Sequence, residues 1–317
     1  MMLHICYALN EGYLPYCLAS IASVLHNNTD SSFHFHILTD SMSAYAQTQA
    51  HECVTQWGGT DVTFHFVDNS LLEGQNLEWS PYGWYRIFCG DLLSPDINQV
   101  LYLDCDVIVC GSIKELWKID YSEKSLAGVP DLMTVHADLY SRIGYPMTKG
   151  YFCSGVLMLN LDFFRRHKLS QEILKYAINN PERINFPDQD ALNIVCKDTK
   201  ELLPLKYGIL APFFTDRKFI AKYKKEVKEC LDDPRIIHYA GCNPWIIENS
   251  PHYYEDEFWK YAAMVPGGIR RRHCCNGYGL LSLTAKRMLG RIGIPHFKRF
   301  VPSPRPTREQ IKSLINR

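Results

Sequence analysis

Short runs of β-branched and aromatic residues alternate along this chain with stretches of helical period, and no other feature restricts the fold as much. Leu3–Leu9 is such a run, followed by a helical pattern over Tyr13–Leu25. "FHFHILTD" (Phe33–Asp40) and "VTFHFV" (Val62–Val67) read as strands on either side of a helix over Ala44–Trp57. "WYRIFCGDLL" reads as helical and "QVLYLDCDVIV" (Gln99–Val109) as one strand. "SLAGVPD" and "GVLMLNL" are further strands, Asp162–Asn179 and "DQDALNIVC" helices, and "RIIHYAG" a last strand. Strands and helices alternating at this spacing predict βαβ units and a largely parallel sheet. No repeat or low-complexity linker appears before about Pro266, so residues 1–265 read as one α/β domain and 266–317 as an extension.

With 317 residues, 46% of them hydrophobic, the chain can bury a sizeable core, which excludes disorder as its main state. No stretch reaches the roughly 18 apolar residues of a membrane span, and "MMLHICYALNEGY" lacks the features of a signal peptide. The expected location is therefore cytoplasmic, with most of the 12 scattered cysteines reduced and in the core. The zero net charge hides an asymmetry. From Ile269 onward there are 12 Lys/Arg and one acid, Glu309, leaving 22 Lys/Arg against 33 Asp/Glu in the body. The tail mixes Leu280, Leu281, Leu283, Met288, Leu289, Ile292, Ile294 and Phe297 with Lys286, Arg287, Arg291, Lys298 and Arg299, although Gly290, Gly293 and Pro295 interrupt a helix there. That composition suits peripheral attachment to an anionic membrane, at its inner face for a cytoplasmic chain. Nucleic acid is not an expected partner.

In open α/β sheets ligands bind at the carboxyl ends of the strands. Asn10, Asp104, Asp106, Asp131 and His238 all follow predicted strands, whereas neither a G-x-G-x-x-G nor a P-loop pattern occurs. D-x-D occurs twice, at Asp104/Asp106 and Asp188/Asp190, so spacing alone does not single out a site. Context favours the first pair, because it follows the apolar "VLYL" and its side chains share a side if the backbone stays extended. Two carboxylates brought together in an apolar setting repel unless a cation meets them. Mn²⁺ or Mg²⁺ with a substrate diphosphate would do so, and His238 is the third ligand such a site could recruit.

Taken together, "ICYALNEGYLPYCLASIASV", "YRIFCGDLL", "VLYLDCDVIVCGSIKELW", "AGVPDLM", "YFCSGVLMLNL", "FPDQDALN" and "IHYAGCNPW" resemble glycosyltransferase family 8, over nearly all of residues 3 to 245. The resemblance implies a GT-A fold, Rossmann-like with a mixed, mostly parallel sheet flanked by helices, which the basic C-terminal extension read from the charge count would follow. It also implies a UDP-sugar donor, Mn²⁺ (or Mg²⁺), a glycan or glycolipid acceptor, and transfer of a hexose with retention of configuration. By position, Asp104, Asp106 and His238 match the family's metal ligands. Leu9, Asn10 and Tyr13 match the uridine-binding loop, with Asn10 in place of the more usual aspartate. Arg86, Cys105, Gly241 and Asn243 fall in donor-binding segments, and Asp131, Asp188 and Gln189 match groups around the donor sugar.

Two departures stand out. "FCSGV" places Cys153 where the family has an asparagine, and "HYAGCNPW" is one residue short and carries Asn243 where a lysine meets the diphosphate. A lost cation there weakens stabilisation of the leaving group, unless Lys206, Lys218 or a tail residue substitutes. Two rival readings predict different products. A nucleotide-sugar or glycan-binding protein binds without turnover, and a phosphohydrolase releases a sugar phosphate.

Overall fold

The computed structural model describes residues 2–74, 80–274, 278–291 and 303–316. The strands are β1 (Met2–Ala8), β2 (Ser32–Thr39), β3 (Asp61–Phe66), β4 (Gln99–Leu103), β5 (Val107–Val109), β6 (Leu126–Pro130), β7 (Phe152–Asn160), β8 (Lys200–Leu202) and β9 (Ile236–His238). Seven of them form a sheet of order β3-β2-β1-β4-β7-β6-β8, in which β7 alone runs against its neighbours. This is the mixed, mostly parallel sheet the alternation predicted.

The sheet is buried on both sides where its strands are apolar without alternation. Leu3, Ile5, Tyr7, Phe33, Phe35, Leu101 and Leu103 join one core, under α1 (Leu14–Asn27) and α2 (Ala44–Gln56). Cys6, Leu38, Val100, Tyr102, Leu157 and Leu159 join a second. That core is closed by the short helices α3 (Pro81–Tyr85) and α4 (Cys89–Leu92) and, after α5 (Ala137–Ile143), by α6 (Leu161–Arg166), α7 (Leu169–Asn179) and α8 (Pro187–Val195). The helix predicted over Asp162–Asn179 is two helices, because Lys168 adopts a left-handed φ of 49° between α6 and α7. The "WYRIFCGDLL" segment is likewise split, with a 3₁₀ turn over Arg86–Phe88.

The largest departure falls at the aspartates. Gln99–Val109 is not one strand: β4 ends at Leu103, a turn carries residues 104–106, and β5 leaves the main sheet to pair antiparallel with β9. The backbone does not stay extended through the D-x-D, and the three-residue detour puts Val107 opposite His238. Ser23 of α1 accepts from Val109 N at 2.9 Å, which fixes the outer edge of β5.

After β8 come α9 (Arg217–Lys222), α10 (Lys224–Asp232), α11 (Glu255–Ala262), α12 (Tyr278–Arg291) and α13 (Arg308–Asn316). The last packs on α9 and α10, with Ile311 and Ile315 buried in the main core. Among the described residues no helix is long and apolar enough to cross a membrane and no disulfide forms, most of the cysteines being buried thiols. Ile292, Ile294, Phe297, Lys298 and Arg299 of the expected membrane surface lie outside the described residues, and α12 extends through Gly290 to Arg291.

Candidate active site

The split of β4 from β5 builds the site. Asp104 and Asp106 sit on the turn, and β9 brings His238 against them. His238 Nε2 lies 3.2 Å from Asp106 Oδ1 and 3.8 Å from Asp104 Oδ2. Asn243 Nδ2 donates to Asp106 Oδ2 at 2.9 Å, and Tyr102 OH donates to Asp104 Oδ1 at 3.0 Å. Burial works to lower the His238 imidazole, but the Asp106 charge outweighs it and raises it well above its usual value. Burial likewise works to raise the Asp106 carboxyl, and the His238 charge holds it below the usual range. Two carboxylates and one imidazole within 4.8 Å of one another form a hard oxygen and nitrogen donor set, which fits Mn²⁺ or Mg²⁺.

β7 is the spine behind these ligands. A Cβ on Gly155 would stand 2.2 Å from His238 Cε1 and 2.7 Å from Asp104 Oδ2, so only glycine lets both groups close on one point. Cys153 Sγ lies 3.6 Å from His238 Nδ1 and touches the ring nitrogen turned away from the aspartates. Ser154 N donates to Gln189 Oε1 at 2.9 Å, and Ser154 O accepts from the Arg86 guanidinium.

Arg86, which the sequence reading placed near the donor, is buried behind the ligands. Its Nη2 is 3.0 Å from Asp104 Oδ1, and its Nε donates to Gly83 O at 2.7 Å. The same Nε is 3.1 Å from Asp188 Oδ2, a charge contact without hydrogen-bond geometry that leaves this buried oxygen without a donor. Burial works to lower the Arg86 guanidinium, and Asp104 and Asp188 together outweigh it and raise it. Burial pushes the Asp188 carboxyl up, against the pull of Arg86. Burial also raises Asp131, whose side chain accepts from Met133 N at 2.8 Å within the electrostatic reach of His238 and Gln189. Asp190 is consumed structurally: Tyr151 OH, Arg142 Nη1, Asn185 N and Phe186 N each donate to it at 2.7 Å.

In front of the ligands opens a cavity of about 400 Å³. Leu9, Asn10, Tyr13, Asp104, Cys105, Asp106 and Asn243 line it, so seven of the residues singled out from the sequence meet there. Asn10 Oδ1 caps the turn that presents Tyr13, accepting from its N–H at 3.2 Å. Gly241, at φ 70°, makes the turn that carries the chain from His238 to Asn243. Arg86, Asp131, Asp188 and Gln189 are not among the lining residues.

The sequence reading did not anticipate Gly155, Ser80 or Tyr82, and covered Arg272 only as an unspecified tail residue that could replace the missing lysine. A glycine in an otherwise apolar strand was the available signal for Gly155. Arg272 has no short-range signal: its N–H donates to Trp245 O at 2.8 Å and its C=O accepts from Ile247 N at 3.0 Å. Its guanidinium lies 6.0 Å from the Tyr16 ring, which stacks on Trp245 and meets Tyr13 edge-on. Burial raises the Tyr13 phenol and the Arg272 charge opposes that shift, so the cation bears on the cavity wall. Lys206 is committed elsewhere, 2.7 Å from Glu229 and 3.3 Å from Asp233.

A mixed, mostly parallel sheet with paired aspartates and a histidine brought together beyond its strands agrees with the GT-A fold that the resemblance implied. Residues 4–247 match glycosyl transferase family 8, and the chain belongs to that family. It is 27% identical over 272 residues to a lipopolysaccharide 1,2-glucosyltransferase of Escherichia coli K12, spanning 81% of this chain and 79% of that one. It is 26% identical over 260 residues to a lipopolysaccharide 1,3-galactosyltransferase of Salmonella typhimurium, spanning 76% and 72%. The galactosyltransferase LgtC, solved with donor and acceptor sugar analogues, shares the fold at a TM-score of 0.71 and 22% identity, covering 88% of this chain and 99% of LgtC.

Proposed function

We propose that the chain is a metal-dependent retaining hexosyltransferase. It moves glucose or galactose from a UDP-sugar to a hydroxyl of a glycan or glycolipid acceptor, in the synthesis of lipopolysaccharide or another cell-surface polysaccharide. The observation that carries this reading is the convergence of Asp104, Asp106 and His238, the two aspartates also lining a cavity walled by Leu9, Asn10 and Tyr13. The relatives' named reactions, glucosyl and galactosyl transfer to lipopolysaccharide, support the substrate class.

Asp104, Asp106 and His238 would hold Mn²⁺ or Mg²⁺, which when bound neutralises charge on the diphosphate as UDP departs. Leu9, Asn10 and Tyr13 receive the uridine. Asn243 does not replace the missing lysine, since its amide is spent on Asp106. Arg272, whose guanidinium lies beside the Tyr16 ring and whose charge reaches Tyr13 of the cavity wall, supplies the second cation. Asp131, Asp188 and Gln189 face the donor sugar, where hydroxyls that satisfy Asp188 Oδ2 select the hexose.

Retention by double displacement needs a free nucleophile beneath the sugar. Asp190 is saturated by its four donors, Asp188 is held against Arg86, and the Gln189 side chain, an amide, bridges Ser154 and Tyr151. That arrangement favours return of the acceptor oxygen on the face UDP leaves. A glycosyl adduct trapped on Asp188 would contradict it.

The basic tail carries the cytoplasmic enzyme to the inner face of an anionic membrane, where a lipid-linked acceptor is presented. Product analysis after incubation with UDP-glucose or UDP-galactose separates the readings. Transfer gives UDP, phosphohydrolysis gives a hexose phosphate, and a binding protein gives neither.

A further inference from the structure

A second group of nitrogen ligands lies far from the active site, at the other end of the sheet. His4 of β1, His34 and His36 of β2 and His65 of β3 alternate with core residues and share one face, since His4 pairs with His34 and His36 with Thr63 in the parallel register. His4 stands six residues before Asn10 of the donor cavity, roughly 20 Å along the strand.

The rings contact one another. His4 Nδ1 and His36 Nε2 are 3.0 Å apart, as are His36 Nδ1 and His65 Nε2, and His34 and His36 stack at 4.5 Å. His36 is 3% exposed, while His4, His34 and His65 are half-buried and open a way in from solvent. Burial holds all four below the usual histidine range, which favours the neutral imidazole that can serve as a metal ligand. The Asp61 charge reaches His34 and opposes the effect of burial there, and Asp61 lies 3.5 Å from His51.

We propose that His4, His34 and His36 form a second metal site, one that takes a divalent transition metal such as Zn²⁺. One ring nitrogen from each lies within 4.8 Å of the others. Two imidazoles sharing a metal at about 2.1 Å place their nitrogens roughly 3–3.4 Å apart, close to the separation seen between His4 and His36. The outer contacts also match those of metal-bound histidines. His34 Nε2 meets Thr63 Oγ1 at 2.8 Å, and the second nitrogen of His36 meets His65. An all-nitrogen set prefers Zn²⁺ or Ni²⁺ over the oxygen-seeking Mn²⁺ and Mg²⁺ suited to the aspartate site, so the two sites take different ions. Bound there, the ion ties β1 to β2 near the sheet edge.

The test uses the full chain without an affinity tag, dialysed against Zn²⁺, with bound metal and thermal midpoint measured. In Asp106→Asn, which disables the aspartate site, one equivalent of Zn²⁺ remains bound and still raises the midpoint. In His4→Gln/His34→Gln that equivalent and the midpoint shift are lost, while Mn²⁺-dependent UDP release persists. Unchanged Zn²⁺ binding in the double variant would overturn the proposal, as would loss of all Zn²⁺ in Asp106→Asn. A measurement that leaves the histidines untouched guards against misfolding of the double variant: Co²⁺ added to Asp106→Asn should give the visible spectrum of imidazole-nitrogen coordination, and a spectrum of aqueous Co²⁺ only would equally refute the site.

Discussion

Gly155 shows how much a single hydrogen atom decides. His238 Cε1 and Asp104 Oδ2 occupy the space a Cβ would need, so Gly155→Ala must push the ligands apart. Activity with Mn²⁺ should fall roughly 10- to 100-fold, the usual loss when a ligand's support is disturbed, while overpacking costs only about 1–3 kcal/mol of stability. Steady-state kinetics beside a urea titration separate the two, and full activity in Gly155→Ala would show that the ligands need not converge. Arg272 makes a complementary case, since the proposed function puts its guanidinium to use on the substrate diphosphate. Arg272→Ala should weaken UDP binding roughly tenfold in calorimetry, with Arg272→Lys between it and the native chain. Equal affinity in all three would remove Arg272 from the diphosphate. Burial has placed His252 as firmly as any ligand: its Nδ1 accepts from Tyr254 N at 3.0 Å and its Nε2 lies 3.3 Å from Ile209 O. Only the neutral ring suits both partners, and burial lowers its pKa to about 3. The unfolded chain therefore binds the extra proton between about pH 6.5 and 3, and stability drops as pH falls through that window. The group's share is on the order of 2 kcal/mol by pH 5. His252→Gln should shrink the difference in unfolding free energy between pH 7 and pH 5, taken from urea titrations, by that amount.

At the scale of elements, the alternation of strands and helices announced the sheet, and runs such as β4, β6 and β7 are covered on both faces and therefore read as continuously apolar. The same continuity hid the most consequential joint. Gln99–Val109 has one uniform pattern, yet Leu103 belongs to the main sheet and Val107 to the β5–β9 pair. What ends β4 is tertiary: β9 captures β5, and Tyr239 N donates to Asp106 O at 2.9 Å. A local pattern cannot carry a partner 130 residues away. The break between α6 and α7 was concealed for a simpler reason, since Lys168 in a left-handed conformation carries no glycine to mark it. Seven of the cavity-lining residues were legible because they lie in motif segments near strand ends, whereas Ser80 and Tyr82 carry no such signal. Arg86 was legible as a residue but not as a buried bridge between Asp104 and Asp188, which depends on packing against Tyr102 and Ser154.

Across the whole molecule, the basic extension is tied to the body at its far end. Ile311 and Ile315 are buried against α9 and α10, and each contributes roughly 1.5–3 kcal/mol. Cutting the chain near Gly268 therefore removes core side chains and Arg272 along with the basic surface, and loss of activity in that truncation says nothing about membranes. Charge reversal is the cleaner probe. Arg291→Glu with Lys298→Glu and Arg299→Glu should abolish sedimentation with vesicles containing anionic lipid and leave UDP release from soluble donor unchanged. Undiminished sedimentation would take the membrane role away from the tail. In the acidic body, Asp104, Asp106 and His238 are proposed to hold an ion against a nucleotide diphosphate. The most direct test of that proposal is UDP release from a panel of UDP-sugars with Mn²⁺ and a glycan acceptor, in the native chain and in Asp106→Asn. The account predicts release from one hexose donor, loss on chelation, and a fall of at least about 100-fold in the variant. Equal release by Asp106→Asn, or release untouched by chelation, would contradict it.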